Sequence, residues 1–272
     1  MIGPATSVPI VRVHSGRSVS GNDHVASEEP LELRIHARPF AVLMRTPGAD
    51  RELAAGFLLA ERVLRSADDL GAIEHCVDSS SHLAANVINV TMVGGLDERV
   101  EAALANQRRV TTAASCGMCG RLTIDSLRTD AKPLPSDTRV SPPVIANLPK
   151  QLIREQAVFA KTGGLHAAGL FTAEGHFDTM AEDVGRHNAV DKIVGRKLMV
   201  EMLPLSASVL FVSGRTSFEI VQKALFAGIP IVAGVSAPSS LAVALALEMG
   251  VTLIGFVRGN SFNIYAHPER IV

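Results

Sequence analysis

The sequence has no excess of either charge: 26 Lys and Arg stand against 27 Asp and Glu, a net charge of −1 over 272 residues. That balance excludes a globally basic nucleic-acid binder and leaves room only for a local basic site. No apolar run approaches the ~18 residues of a bilayer-crossing helix. The most apolar stretch, Leu241 to Val257, is interrupted by Glu248 and Gly250 and reads as a buried helix followed by a strand. The opening segment MIGPATSVPIVRVHSG lacks a charged n-region, a long apolar core and a cleavage site. No secretory signal is therefore expected, and the segment reads as a disordered tail. Cysteine is scarce, with only Cys76, Cys116 and Cys119. An odd set of this size does not make a disulfide framework and favours a reducing, cytoplasmic setting. G-x-G-x-x-G and Walker A sequences are absent, so no standard NAD or P-loop ATP site is expected. The H-x-E and P-C-x-x-C pair of zinc deaminases is missing too, and no internal repeat or low-complexity tract occurs.

The remaining composition is globular, with 47% hydrophobic and 19% charged residues. At about 150 residues per domain the chain makes one large or two small domains. In the first half, Leu31, Leu33 and Ile35 alternate with polar residues as a strand, and Phe40–Met44 follows as a second. Asp50 is placed to cap a helix that carries Leu53, Ala54, Phe57 and Leu58 on one face. Further strands are expected at Ile73–Val77, Asn86–Val93 and Arg109–Ala113. A Pro-rich stretch from Lys132 to Pro149 reads as a linker or extended arm and supplies the boundary. The expected division is a tail over 1–27, a smaller α+β region over 28–140 and an α/β ligand-binding domain over 141–272.

In the second half, Leu148, Leu152 and Phe159 fall on one helix face, and Leu165–Phe171 with His176–Met180 reads as a hairpin. A helix from Arg186 to Met199 follows. Three buried strands, Val209–Ser213, Ile229–Val235 and Val251–Val257, then alternate with helices. Thr216 and Glu219 read as a capping box for the first of these helices, and Pro238–Met249 as the second. Such alternation implies parallel pairing with right-handed crossovers, a βαβαβ unit. Each strand ends in a loop rich in Gly, Ser and Arg: Ser213-Gly214-Arg215-Thr216, Gly234-Val235-Ser236-Ala237 and Arg258-Gly259-Asn260-Ser261. In a parallel sheet all three emerge at the carboxyl edge, where open α/β folds bind ligands. Two lead into helix N-termini, which favour anions, and Arg215 and Arg258 add charge-assisted contacts. A phosphorylated, nucleotide-like ligand is expected there.

Ser115-Cys116-Gly117-Met118-Cys119-Gly120 is a C-x-x-C between glycines, with Arg121 close enough to favour a thiolate. Three chemistries fit it: half of a zinc site, a redox pair, or a persulfide carrier. The spacing leaves all three open, beside a purely structural role. Cys76 reads as a small buried hydrophobe. His166, after Gly163-Gly164, and the segment Glu182-Asp183-Val184-Gly185-Arg186-His187-Asn188 suit ligand binding or proton transfer. The plainer reading makes Asp183 a helix cap and packs His187 with a satisfied ring.

Taken in order, several segments resemble the formate dehydrogenase accessory sulfurtransferase family, FdhD/NarQ. They are Glu52-Leu53-Ala54-Ala55-Gly56-Phe57-Leu58, Cys116-Gly117-Met118-Cys119-Gly120, Gly163-Gly164-Leu165-His166-Ala167-Ala168, Glu182 to Lys192, Ser213-Gly214-Arg215 with Phe218 to Lys223, and Gly255-Phe256-Val257-Arg258-Gly259. The resemblance implies a sulfur carrier that takes sulfur from a cysteine desulfurase as a persulfide on Cys116, with Cys119 assisting. It further implies transfer to the molybdenum cofactor as Mo-bis(molybdopterin guanine dinucleotide), for use by formate dehydrogenase. The implied cofactor contacts are Phe256, Val257, Arg258, Gly259, Asn260 and Ser261, joined by Ser213, Gly214, Arg215, Ser236, His166, Arg186 and His187. GDP-like nucleotides are implied as occupants of the same site. A cytidine-deaminase-like α/β sandwich without the zinc ligands and a homodimer are implied as well, with no metal, nucleic-acid or membrane partner. The chain departs from the family at Arg62, where glycine is frequent, and at Ser261, where a basic residue is frequent. A carrier that delivers the cofactor without covalent chemistry is the alternative.

Overall fold

The computed structural model describes residues 3–76, 84–107 and 132–272. Residues expected as a disordered tail instead form an antiparallel hairpin, β1 (Ala5–His14) with β2 (Arg17–Ala26). Its turn is Ser15-Gly16, with φ of 49° and 78°. Positive φ at both central residues is the turn geometry that matches strand twist. The signal was in the sequence: a Ser-Gly pair between alternating valines, masked by the polar composition of β2. Val8 and Ile10 are partly buried, while the tip valines are exposed.

A four-stranded sheet follows, in the order β4-β3-β6-β5. It consists of β3 (Glu29–Ile35), β4 (Arg38–Arg45), β5 (Leu70–His75) and β6 (Val87–Met92). Leu31, Leu33 and Ile35 are fully buried on one face, as their alternation requires. That face packs on α1 (Asp50–Ala60), and α2 (Glu98–Gln107) adds Val100 and Leu104 to the same core. Asp50 does not cap α1. The helix is entered through Ala49 in the left-handed region, φ 55°, and Asp50 is its first residue. Its carboxylate accepts from Arg45 Nε at 2.9 Å and Nη2 at 3.0 Å, with both side chains buried. Arg109–Ala113, expected as a strand, lies outside the described residues.

The Pro-rich stretch is only partly an arm. Residues 132–139 run extended against the C-terminal half, where Leu134 N donates to Met249 O and Thr138 Oγ1 to Ser206 O. From Pro142 the same stretch becomes α3 (Pro142–Glu155), since proline is pre-organised for the first helical turn. The single helix expected to carry Leu148, Leu152 and Phe159 is broken at Gln156, φ −80° and ψ 69°, and resumes as α4 (Ala157–Thr162). Leu148 and Leu152 are buried, but Phe159 is 38% exposed.

The second sheet has six strands, ordered β12-β11-β10-β9-β7-β8. Its members are β7 (His166–Thr172), β8 (Phe177–Asp183), β9 (Ser208–Val212), β10 (Ile231–Gly234), β11 (Thr252–Arg258) and β12 (Ser261–Ala266). β9, β10 and β11 pair in parallel as expected, and the outer strands pair antiparallel. Helices α5 (Arg186–Met199), α6 (Phe218–Phe226) and α7 (Ser240–Met249) cover one face, and α3 the other. The mixed α/β architecture is thus present.

The two sheets are joined by α1 lying on α5, and one continuous core runs through both. The helices meet at backbone distance. A Cβ built on Gly195 would stand 1.8 Å from Glu52 O, and one on Gly56 would stand 2.0 Å from Asp191 O. Neither position can hold a methyl group without separating the helices. Gly195→Ala is expected to destabilise the protein by about 3 kcal/mol. Gly21→Ala, on the exposed hairpin, should change it by less than about 0.5 kcal/mol. Urea unfolding of the two variants beside the wild type checks this.

Candidate functional site

Parallel pairing brings the three loops to one edge, and backbone hydrogen bonds tie them together. Val235 N donates to Val212 O at 3.3 Å, Ser239 N to Thr216 O at 3.0 Å, and Phe256 N to Ser236 O at 3.2 Å. β7 runs opposite to β9, so its first residue, His166, arrives at the same edge. Ala167 N donates to Ser213 Oγ at 2.8 Å, which fixes the start of the first loop. β8 returns antiparallel and delivers Gly185 and Arg186, the entry to α5. A Cβ on Gly214 would lie 3.3 Å from His166 Nδ1 and 4.0 Å from Arg186 Cδ. The edge therefore gathers His166, Arg186, Ser213 and Gly214, with Ser236 and Phe256 on the adjoining loops.

His187 joins by a different route. Its Nε2 lies 3.0 Å from Ser217 Oγ and 2.9 Å from Glu219 Oε2. Glu219 is thus occupied by the imidazole and closes no capping box, and α6 begins after Ser217 without a side-chain cap. The expected partner, Thr216, is fully buried, and its Oγ1 has no hydrogen bond among the described residues. Sequence reading missed this contact because Glu219 and His187 lie on different helices.

The third loop has a distorted backbone. Phe256 sits at a bulge between β11 and β12 with φ 54°, a conformation that L-residues rarely adopt. The bulge turns its ring outward, 37% exposed, with the Arg258 guanidinium 5.9 Å from the ring centroid. Val257 is 1% exposed and points into the core, so its side chain is no contact for a ligand at this edge. Ser261 Oγ donates to Arg258 O at 3.1 Å and so closes the turn. Arg215, Gly259 and Asn260 are exposed.

Much of the segment Glu182 to Lys192 is structural. Asp183 Oδ1 accepts from Gly185 N at 2.8 Å, and its Oδ2 accepts from Thr46 N at 3.1 Å and pairs with Lys192 Nζ at 2.7 Å. Buried Asp191 pairs with Lys223 at 2.7 Å. Burial raises the Asp191 pKa against the opposing pull of Lys223. Only Arg186 and His187 turn toward the loops. Among the described residues, buried Arg186 Nε has no hydrogen-bond partner, an arrangement suited to an incoming anion.

A cleft of about 510 Å³ shares residues with this edge. Leu152, Phe159 and Phe211 line it, together with His166, Ser213 and Val235. Apolar walls beside anion-binding loops suit a ligand with a flat ring and a phosphate. Cys116 and Cys119 lie outside the described residues. Cys76 is half-buried, more accessible than a core hydrophobe, with a free thiol. Among the described residues no cluster of three His, Cys, Asp or Glu could hold a metal.

The FdhD/NarQ family model matches residues 26–272. The chain belongs to the FdhD/NarQ family. It is 50% identical to the sulfur carrier protein FdhD of Streptomyces avermitilis, over 96% of this chain and 94% of that one. It is 46% identical to the FdhD of Sulfurisphaera tokodaii, over 97% and 98% of the two chains. A crystal structure described as a formate dehydrogenase accessory protein from Desulfotalea psychrophila superposes with a TM-score of 0.77 at 25% identity, covering 98% of this chain and 99% of that one. Among the described residues of this FdhD/NarQ chain, no helix is long and apolar enough to cross a membrane.

Burial lowers the His166 pKa below the ordinary 6.5, Arg186 and His187 push it further down, and Asp183 partly opposes them. A histidine with a depressed folded pKa contributes stability above its unfolded value and loses it as pH falls through the folded one. His166 is therefore expected to be neutral at pH 7 and to titrate below 6.5. Arg186→Gln should raise its midpoint, as read by NMR titration of the imidazole resonance.

Proposed function

We propose that this chain is a sulfur carrier that accepts sulfur from a cysteine desulfurase as a persulfide on Cys116. It then passes the sulfur to Mo-bis(molybdopterin guanine dinucleotide), in the service of formate dehydrogenase. Membership of the FdhD/NarQ family and about 50% identity to a sulfur carrier protein FdhD support the carrier role. The observation that carries the ligand side is the loop edge, where, among the described residues, buried Arg186 Nε has no partner beside an apolar cleft. The substrate has two pyrophosphates and two guanines, so it calls for several anion-binding loops and flat apolar surfaces in one place.

Loading is thiol–disulfide exchange. The Cys116 thiolate attacks the outer sulfur of the donor's persulfide, the donor's S–S bond breaks, and the donor cysteine leaves as a thiolate. No net oxidation occurs, and one sulfur atom moves. Cys119, three positions on in the sequence, would hold or discharge that sulfur. At the loop edge, Arg186 and Arg215 would hold phosphate, and the N-termini of α6 and α7 would supply backbone N–H groups. Neutral His166 leaves the positive field to the arginines. A cytoplasmic setting and a homodimer belong to the same reading, the first supported by the scarcity of cysteine.

The deciding experiment is intact mass after incubation with an active desulfurase and cysteine. The wild type is expected to gain one sulfur atom, about 32 Da, reversed by reductant, and Cys116→Ala to gain none. An unchanged wild-type mass would overturn the covalent step and leave delivery of the cofactor without covalent chemistry. For the ligand side, Arg186→Gln is expected to weaken GDP binding about ten-fold at low salt, measured by calorimetry.

A further inference from the structure

One wall of the cleft beside the loops carries a glutamine whose side-chain amide bonds nothing else among the described residues. Gln156 is 4% exposed and lines the cleft. Its backbone groups are satisfied, with N donating to Ile153 O and O accepting from Ala160 N. Among the described residues its side-chain amide makes no hydrogen bond, although neighbouring Gln151 donates to Gly175 O at 3.0 Å. The amide nitrogen and oxygen are not sealed off by the fold, so on the cleft wall they are free to meet a ligand. The local backbone makes the placement specific. Gln156 is where α3 ends and α4 begins, and its ψ of 69° breaks the helix so that this side chain joins Leu152 and Phe159 on the cleft wall.

We infer that Gln156 reads the edge of a flat heterocycle in this cleft, one that carries an adjacent carbonyl and ring N–H. The inference rests on the nucleotide-binding reading above and deepens it. A carboxamide offers one acceptor and two donors, so it can accept from a ring N–H while donating to the carbonyl beside it. The volume of about 510 Å³ falls within the range of small-molecule sites. The shared residues His166 and Ser213 connect the cleft to the anion-binding edge, so ring and phosphate can be held by one molecule. Guanine and a pterin both present this edge, as a 2-amino-4-oxopyrimidine. Leu152, Phe159 and Phe211 supply the apolar surface for either ring, and Gln156 supplies orientation.

The test uses the full chain and Gln156→Leu, with GDP, inorganic pyrophosphate and 6-hydroxymethylpterin as calorimetric probes. Gln156→Leu is expected to weaken GDP, the pterin or both about ten- to hundred-fold, and to leave pyrophosphate unchanged. Loss confined to GDP assigns the guanine end to the cleft, and loss confined to the pterin assigns the pterin end. The ligand-free variant should melt close to the wild-type temperature, since the amide it removes holds no other described residue in place. GDP and pterin affinities that survive the substitution overturn the inference while the nucleotide reading stands. If neither GDP nor pyrophosphate binds the wild type, both fail. A variant that loses affinity but also melts lower marks Gln156 as a structural residue and overturns the inference too.

Discussion

The rest of the molecule depends on the crossing of α1 and α5. Gly56 and Gly195 let the two helices approach until backbone touches backbone, and a methyl group at either would collide with a carbonyl oxygen. Buried ion pairs surround this contact. Lys192 on α5 pairs with Asp183 at 2.7 Å and donates to Thr46 O at 2.9 Å, which ties the second sheet to the end of β4. Asp191 pairs with Lys223 on α6, whose ammonium lies 5.9 Å from the Phe57 ring centroid on α1. Buried pairs add little net stability against a well-packed apolar alternative, but breaking one strands a charge. Their effect here is to admit a single registration of three helices.

That registration sets the site. α5 enters the crossing immediately after Gly185 and Arg186, so fixing the helix fixes the guanidinium beside Gly214 and His166. The His187–Glu219 pair then links the start of α5 to the start of α6, and with it the Gly185–Arg186 turn to the first loop. The loop bonded to Phe256 completes the chain of contacts. Catalytic and binding residues on loops are positioned by the scaffold beneath them, and here the scaffold is a helix crossing on the far side of the sheet from the cleft. The strained Phe256 backbone is a local cost that such a scaffold can carry.

The sheet separates two chemistries. On the face covered by α5, α6 and α7, charges are paired and buried. On the face covered by α3, the core is aliphatic and aromatic and opens into the cleft, where among the described residues the side chains of Gln156 and His166 and, at the edge, Arg186 Nε make no hydrogen bond. The difference matches a division of labour: one face holds the fold together, the other leaves partners for a ligand.

Most elements were legible in the sequence because each is encoded by its own neighbours. The alternation of Leu31, Leu33 and Ile35, the buried runs of β9, β10 and β11, and the Gly, Ser and Arg loops that follow them are local patterns, and parallel pairing turned the loops into one edge. The N-terminal hairpin was equally local, and its polar strand concealed it. What failed was the assignment of partners across the fold. Asp50 and Glu219 both sit where a helix begins, and sequence logic makes each serve that helix. In the structure the Arg45 guanidinium takes the first and the His187 imidazole the second, because the fold brings each of these donors within hydrogen-bond reach of the carboxylate. Val257 and Ser261 likewise belong to a binding motif by position, yet one faces the core and the other closes a turn. The sequence by itself determined the elements, their order and the chemistry of the loops. Only the tertiary structure decided which side chains are free to meet a ligand, because that depends on which partners have already claimed the rest.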